Sequence, residues 1–174
     1  MALDPTQVVN NVKRSFNAYV SAGLGPATIN FDQDPFEADG LESWYSVRYT
    51  SYSTEPSGMG EMIEDDESTK GRFHVVGCEV SAWRRDDPQR AELGGMADEL
   101  IALCEEPSIT LYDYADPENP QECGKVYLRP RLGTFTPIWS GAKPIWKADS
   151  ERHERGRIVG FVLELELITL AEVS

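Results

Sequence analysis

The sequence RIVGFVLELELITL, residues 157–170, decides the fold class. Its apolar residues fall on one side of an extended chain: Val159, Phe161, Leu163, Leu165 and Leu167. Glu164 and Glu166 lie between them and point the other way, because successive side chains of a strand alternate between its two faces. A period of two over this length predicts a long β-strand with one continuous buried face. We expect such a strand to lie near the centre of a sheet.

Four more strands are predicted upstream of this segment. Residues 44–52 alternate in the same way and are rich in aromatic side chains, which favours a strand. Residues 73–83 form the next strand, and the segment 53–71 between the two is predicted to be a long hairpin loop. Two shorter strands are predicted at 108–114 and 125–129. Residues 130–156 show no clear period and are predicted to be irregular.

Two helices are predicted from their boundaries and their spacing. Asp4 can cap the first helix and Pro5 suits its first position, while Gly23 and Gly25 end it. Its apolar residues recur at helical spacing: Val9, Val12, Phe16 and Tyr19. The second helix opens at Asp87-Pro88 and ends before Pro107, and its apolar residues are Leu93, Met96, Ala97, Leu100, Ile101 and Cys104.

The order of these elements is α-β-β-α-β-β-β. It predicts an α+β fold in which a mostly antiparallel mixed sheet of about five strands carries two helices on one face. The 174 residues fit a single domain, residues 1–174, with long loops.

The composition limits the classes of partner. The chain has 30 acidic and 16 basic residues and a formal net charge of −14, a field that repels the phosphates of nucleic acid and anionic membranes. We therefore expect neither a membrane partner nor direct, sequence-specific nucleic-acid binding. The three cysteines are far apart in sequence, which fits a reducing compartment, and the N-terminal residues carry no secretory signal pattern.

The sequence offers little that is typical of an enzyme. It has no phosphate-binding glycine loop, no GxSxG motif and no pair of cysteines at metal-site spacing. His74 alternates with the apolar face of its strand and is interpreted as a core or sheet-edge histidine, and His153 as a solvated loop residue. Cys78 and Cys104 fall on apolar faces, where small buried side chains are usual. We expect a non-enzymatic protein with no catalytic residues, cofactor or metal.

Two features suggest a partner surface. The first is the pair of tryptophans Trp139 and Trp146, each preceded by Pro-Ile, which can pack over the core or serve as interface anchors. The second is a possible charge match between two loops, in which a basic loop of one copy meets an acidic loop of the next. The acidic residues are Glu61, Glu64, Asp65, Asp66 and Glu67. The basic residues include Lys147, Arg152 and Arg155. Ordinary solvated surface charge is the alternative interpretation of both charged loops.

The arrangement resembles the tail terminator, or tail completion, proteins of long-tailed bacteriophages. The matching parts are the helix at 8–20, Asn30-Phe31 with Pro35-Phe36, the strands beginning at 44 and 73, the helix at 91–104, and the final strand at 160–170. The resemblance spans most of the chain and is carried by element order and loop character. The chain differs from the family pattern in its longer 130–156 region and its strongly acidic charge.

The resemblance implies a mechanical function in the phage neck, in the virion, after assembly in the host cytoplasm. It implies a homohexameric ring that sits on the end of the tail tube, stops polymerisation of the tube protein and joins the tail to the head through a connector. Its contact elements would be the 53–71 loop and the 130–156 segment. A head-closure or other head–tail connector protein is the main alternative. A small-molecule-binding domain and an acidic adaptor or inhibitor are further alternatives.

Overall fold

The computed structural model describes residues 5–32, 41–56, 70–85, 91–130, 136–139 and 158–173. Within these ranges the chain forms two helices and a seven-stranded sheet. The helices are α1 (Pro5–Leu24) and α2 (Ala91–Cys104). The strands are β1 (Ile29–Phe31), β2 (Ser43–Pro56), β3 (Lys70–Arg85), β4 (Ser108–Asp113), β5 (Gln121–Pro130), β6 (Thr136–Trp139) and β7 (Ile158–Val173).

The sheet has the strand order β1-β2-β3-β7-β5-β4, and β6 also pairs with β7. Only the β1–β2 pair is parallel among the described strands, and the others are antiparallel. The predicted α+β class and the mostly antiparallel mixed sheet are therefore confirmed. The five predicted strands correspond to β2, β3, β4, β5 and β7.

The final strand, β7, lies inside the sheet as the sequence predicts. It pairs with β3 from Lys70↔Val173 to Arg85↔Ile158, and its other side is shared by β5 and β6. Its alternate residues from Val159 to Leu167 are buried against the helices. Because β7 has partners on both sides, the alternation of its sequence determines which face of the whole sheet becomes the core.

Both helices pack on that face. The buried stripe of α1 consists of Val8, Val12, Phe16 and Val20, and that of α2 of Leu93, Ala97, Leu100 and Cys104. The first helix ends at Leu24, and Gly25 follows with a φ of 60°, a left-handed conformation that glycine adopts without steric cost.

Two tyrosines of β2 join the sheet to the helices by hydrogen bonds. The hydroxyl of Tyr45 donates to Glu99 Oε2 of α2 at 2.9 Å. The hydroxyl of Tyr49 lies 2.9 Å from the carbonyl oxygen of Lys13 and 2.5 Å from Asn17 Oδ1, both in α1. Burial is the main cause that raises the pKa of both phenols. These aromatic side chains therefore join the sheet to the two helices.

The structure corrects two predictions about irregular segments. Strand β2 continues to Pro56 and β3 begins at Lys70, so both ends of the predicted 53–71 loop belong to the hairpin strands. The 130–156 region contains β6, and β1 is a further strand that the sequence did not predict. Neither strand is long enough to show a period of its own, since β1 has 3 residues and β6 has 4. Each is extended because it pairs with a longer strand, β2 or β7.

A second, smaller core lies on the opposite face of the sheet, which the sequence did not predict. Trp44, Trp83 and Ile158 are almost fully buried there and form their own cluster. Trp83 lies across Gly160, its register partner in β7, so closely that a Cβ atom at position 160 would overlap the indole ring. The indole N–H of Trp83 donates to Ser81 Oγ at 2.7 Å. The absence of a side chain at Gly160 thus makes room for the tryptophan.

We predict that Gly160→Ala destabilises the protein by about 1–3 kcal/mol, because the added methyl group must displace a buried ring. Gly94→Ala is the matched control. Gly94 is exposed within α2 and has open space at its Cβ position, so this change is expected to stabilise the protein by about 0.5–1 kcal/mol. Urea unfolding of both variants measures the two effects, and equal midpoints would contradict the close packing of Trp83 on Gly160.

Candidate functional site

At one edge of the sheet, polar side chains of α1 bind the backbone at the C-terminal end of β4. Ser15 Oγ accepts a hydrogen bond from the backbone N–H of Tyr112 at 2.9 Å. Asn11 Oδ1 accepts one from the N–H of Tyr114 at 3.0 Å. Both α1 residues are almost completely buried. They occupy backbone donors at the end of β4 that an added strand would otherwise use.

The same helix also holds the end of β4 through Asp113. Its Oδ1 accepts hydrogen bonds from the backbone N–H of Ala115 at 3.0 Å and from the side-chain amides of Gln7 and Asn11 at 3.2 and 3.3 Å. The bond from Ala115 is the largest cause that lowers the pKa of Asp113, and the two amides act in the same direction. The carboxylate thus joins α1 to the turn that follows β4.

The opposite edge, that of β2, is covered only over its first part. The N–H of Tyr45 donates to the carbonyl of Thr28 at 2.9 Å, and the N–H of Asp32 donates to the carbonyl of Val47 at 2.8 Å. Next along the edge, Asp32 Oδ1 accepts a hydrogen bond from the backbone N–H of Tyr49 at 3.2 Å. Asp32 has a φ of 54°, the left-handed conformation that Asp tolerates better than most residues. The cover that β1 provides therefore ends at Tyr49.

A β-bulge follows directly after this point. Tyr49 is opposite Cys78 and Ser51 is opposite Gly77, so Thr50 is an extra residue in β2. The hydroxyls of Thr50 and Ser51 both occupy the space where a Cβ of Gly77 would lie, which places the two side chains on the same face. The extra residue changes which residues of β2 face the helices, as bulges do.

Beyond the bulge, the edge of β2 is open. Residues 51–55 are exposed, and none of the described strands pairs with their outer side. Backbone groups of an antiparallel strand point alternately toward and away from the partner strand. Ser51 and Ser53 face β3, so the N–H and C=O groups of Tyr52 and Thr54 point outward. This open edge, residues 51–55, is the candidate site for an interaction through backbone hydrogen bonds.

A histidine is buried next to the open edge. His74 has no exposed surface, and its Nδ1 shares a hydrogen bond of 2.8 Å with the hydroxyl of Tyr52. The two rings are stacked with their centroids 6.0 Å apart. Among the described residues, its Nε2 has no hydrogen-bond partner. Burial, and secondarily the positive charge of Arg72, lower the pKa of His74. Of the two positions predicted for His74, core or sheet edge, the structure shows the buried one.

The face opposite the helices carries ion pairs between neighbouring strands. Arg48 pairs with Glu79 at 2.8 Å, and Arg129 pairs with Glu166. Glu166 points away from the helices, as the alternation of β7 predicts, and Arg129 of β5 lies directly beside it in the sheet. Glu164 is half-buried beside Glu79. A shallow groove of about 380 Å³ has Glu79, Glu164 and Glu166 in its lining.

Most of the predicted interface residues lie outside the described residues. They are Glu61, Glu64, Asp65, Asp66, Glu67, Trp146, Lys147, Arg152 and Arg155. Trp139 is the last residue of β6 and is opposite Val159 in the ladder with β7. The match between an acidic and a basic loop therefore stays a prediction.

The cysteines lie where their sequence context indicates. Cys78 and Cys104 are buried in the core, and burial raises the pKa of both thiols, to about 12 for Cys104. Cys123 is exposed on β5. Within the part of the chain that the structure describes, no three His, Cys, Asp or Glu side chains come together as a metal site requires. Neither described helix has the length and apolar character needed to cross a membrane.

A scan against models of known protein families finds none that matches this chain, and a search among curated proteins finds no match.

Two patterns in the sequence indicate the difference between the β4 and β2 edges, although neither edge was predicted. Asn11 and Ser15 are polar residues one turn apart, beside the apolar stripe of α1. In β2, tyrosines stand at 45 and 49 and then at 52, so the alternation changes phase near Thr50. A change of phase inside a strand indicates a bulge.

We predict that Ser15→Ala lowers the free energy of unfolding by about 1 kcal/mol, because it removes the acceptor of the Tyr112 N–H. Ser21→Ala, at an exposed position of the same helix, is the control and should change it by less than about 0.5 kcal/mol. Denaturant unfolding measures both. A Ser15→Ala protein as stable as the wild type would contradict the closure of the β4 edge by α1.

We also predict a pH dependence of stability that comes from His74. Its pKa is lowered in the folded protein, so the unfolded chain binds the proton more readily and stability decreases as the pH falls through 6.5. Above that pH, the neutral His74 makes its full contribution to the free energy of unfolding. Urea midpoints between pH 8 and pH 5 should decrease less for His74→Gln than for the wild type. His153→Gln changes the other histidine of the chain and should keep the wild-type dependence. Identical pH profiles for wild type and His74→Gln would contradict this prediction.

Proposed function

We propose that this protein is a structural subunit that assembles with copies of itself into a ring, and that the ring is the tail terminator in the neck of a long-tailed bacteriophage. The observation that carries the proposal is the open edge of β2, residues 51–55. Exposed backbone N–H and C=O groups at a sheet edge bind a further strand readily.

The contrast between the two edges supports assembly. The β4 edge is occupied by the buried side chains of Asn11 and Ser15, while the β2 edge is left exposed after Tyr49. Proteins that stay monomeric commonly protect their edges with charges, prolines or covering elements. Here the open segment carries four hydroxyl residues before Glu55, counted from Ser51 to Thr54. Of these two edges, that of β2 therefore has the backbone groups that a neighbouring strand can bind.

The assignment to the end of a phage tail rests on the resemblance in element order. The helix, the hairpin, the second helix and the long final strand occur in the order typical of the tail terminator family. As in that family, the ring would contain six subunits, bind the last ring of tube protein and present a surface to the head connector. No cofactor is needed for this function.

A head-closure protein is the nearest alternative, since it shares the size and the ring. The two functions differ in which partner the ring binds. A small-molecule-binding function has weaker support, because the groove beside Glu79 and Glu166 is lined mainly by charged and hydroxyl side chains. Ligand pockets are in contrast predominantly apolar.

The test uses polymerising tail-tube protein from the same phage. We expect that addition of this protein shortens the tubes in proportion to its concentration and that electron microscopy shows an extra ring at one tube end. Bovine serum albumin, also an acidic protein, is the control for charge. Tubes of unchanged length without bound protein would contradict the terminator function, and binding to the head connector in the absence of tubes would favour the head-closure alternative.

A further inference from the structure

We infer that one end of the outer face of the sheet, the face turned away from α1 and α2, binds the same face of a second copy of this chain. The contact goes beyond the proposed ring, and it uses a different surface from the open edge of β2. It is carried by a patch that is apolar at its centre and complementary to itself in charge, which we call the end patch.

The register of the ladders places the end patch on four neighbouring strands, β2, β3, β7 and β5. Val126, Leu128 and Leu167 belong to the core on the helix side, so the residues between them point to the outer face. Directly opposed residues share a face, which gives two rows across the sheet. In strand order, one row is Ser53, Val75, Ile168 and Tyr127, and the other, two residues further along each strand, is Glu55, Phe73, Leu170 and Lys125.

The centre of the end patch is apolar and incompletely covered. Leu170 is 47% exposed and Tyr127 is 50% exposed, while Phe73 and Ile168 are half-buried beside them. Leu170 and Tyr127 are two of the four large hydrophobic side chains that the described part of the chain exposes. Apolar side chains brought together on an exposed surface mark an interaction site.

Charge selects a second copy as the partner. The outermost residues of the second row have opposite charges, with Glu55 on β2 and Lys125 on β5. Two sheets can pack face to face with their strands nearly aligned. A twofold axis parallel to the strands then places β2 of each copy over β5 of the other, and β3 over β7. Glu55 of each copy meets Lys125 of the other, and Phe73 meets Leu170, as an isologous contact requires.

The same charges disfavour a twofold axis across the strands. That axis stacks each strand on its own counterpart, so the basic side chains of β5, Lys125 and Arg129, would face those of the other copy. With the axis along the strands, the nearest further carboxylate on β3 is that of Glu79. It is paired with Arg48 of its own copy at 2.8 Å, which limits the repulsion between the two faces.

The size of the end patch indicates a weak dimer. Strands about 4.8 Å apart and rows about 6.8 Å apart give an area on the order of 400 Å² per copy when the adjoining row with Arg129 and Glu166 is included. The total of about 800 Å² is below the roughly 1,200 Å² of stable complexes. The dimer is therefore expected to be reversible and to depend on concentration.

The test is sedimentation velocity of the full chain over a concentration series up to about 1 mM. Glu55→Lys places two lysines together across the contact, and Lys125→Glu places two carboxylates together. The double variant Glu55→Lys/Lys125→Glu restores opposite charges. Within one chain the two positions are three strand spacings apart, about 14 Å, so their direct interaction is largely screened. Glu105→Lys makes the same charge change at an exposed position after α2 and is the control.

We expect each single charge variant to raise the dissociation constant of the dimer by roughly tenfold, since it turns two attractive contacts into two repulsive ones. Leu170→Ser should also weaken the dimer, because it removes apolar area from the centre of the patch. The double variant and Glu105→Lys should dimerise as the wild type does.

A wild-type mass that does not double at any concentration would overturn the inference, as would dimers that none of the variants weaken. A double variant as weak as the single ones would overturn the twofold axis along the strands. The readout is a doubling of the mass, and it applies equally to single subunits and to rings. Failure of the proposed ring therefore leaves this test unchanged.

Discussion

The structure depends on the one-sided apolar alternation of β7 and on its pairing with β3 along the whole length of both strands. Because β7 also pairs with β5 and β6, a shift of one residue would turn its valine, phenylalanine and leucine side chains away from α1 and α2. The helix face of every other strand is aligned with this one. Gly160 contributes from the other side of the sheet, since Trp83 can lie flat only where β7 has no side chain.

With the register of the sheet determined, its two outer strands differ in how their backbone groups are satisfied. At β4, Asn11 and Ser15 accept backbone hydrogen bonds and make α1 a cover for the edge. At β2, the cover ends with Asp32, and the bulge at Thr50 turns the next backbone groups outward. A buried polar side chain in a helix is costly unless it has a partner, so Asn11 and Ser15 are specific to this edge.

The helices and the five longer strands could be predicted from the sequence because each has a period that its burial imposes. The short strands β1 and β6 could not, since they are extended only through pairing with β2 and β7. The second core could not be predicted for a similar reason. Trp44 and Trp83 lie on the face that the alternation of the strands marks as outer, and only the register with Gly160 shows that they are buried. The candidate edge depends on the position of one extra residue, Thr50. The phase change from Tyr49 to Tyr52 signals it, but the partner strand is needed to locate it.

The central claim is that the β2 edge is open in the single subunit and closed in the assembly. Residue-resolved amide hydrogen exchange tests it most directly, in the dilute subunit and in the assembled ring. We expect the amides of Tyr52 and Thr54 to exchange rapidly in the subunit and to be protected in the ring, while those of Ser53 and Tyr112 are protected in both. Rapid exchange of Tyr52 and Thr54 in the ring would contradict the claim, as would their protection in the isolated subunit.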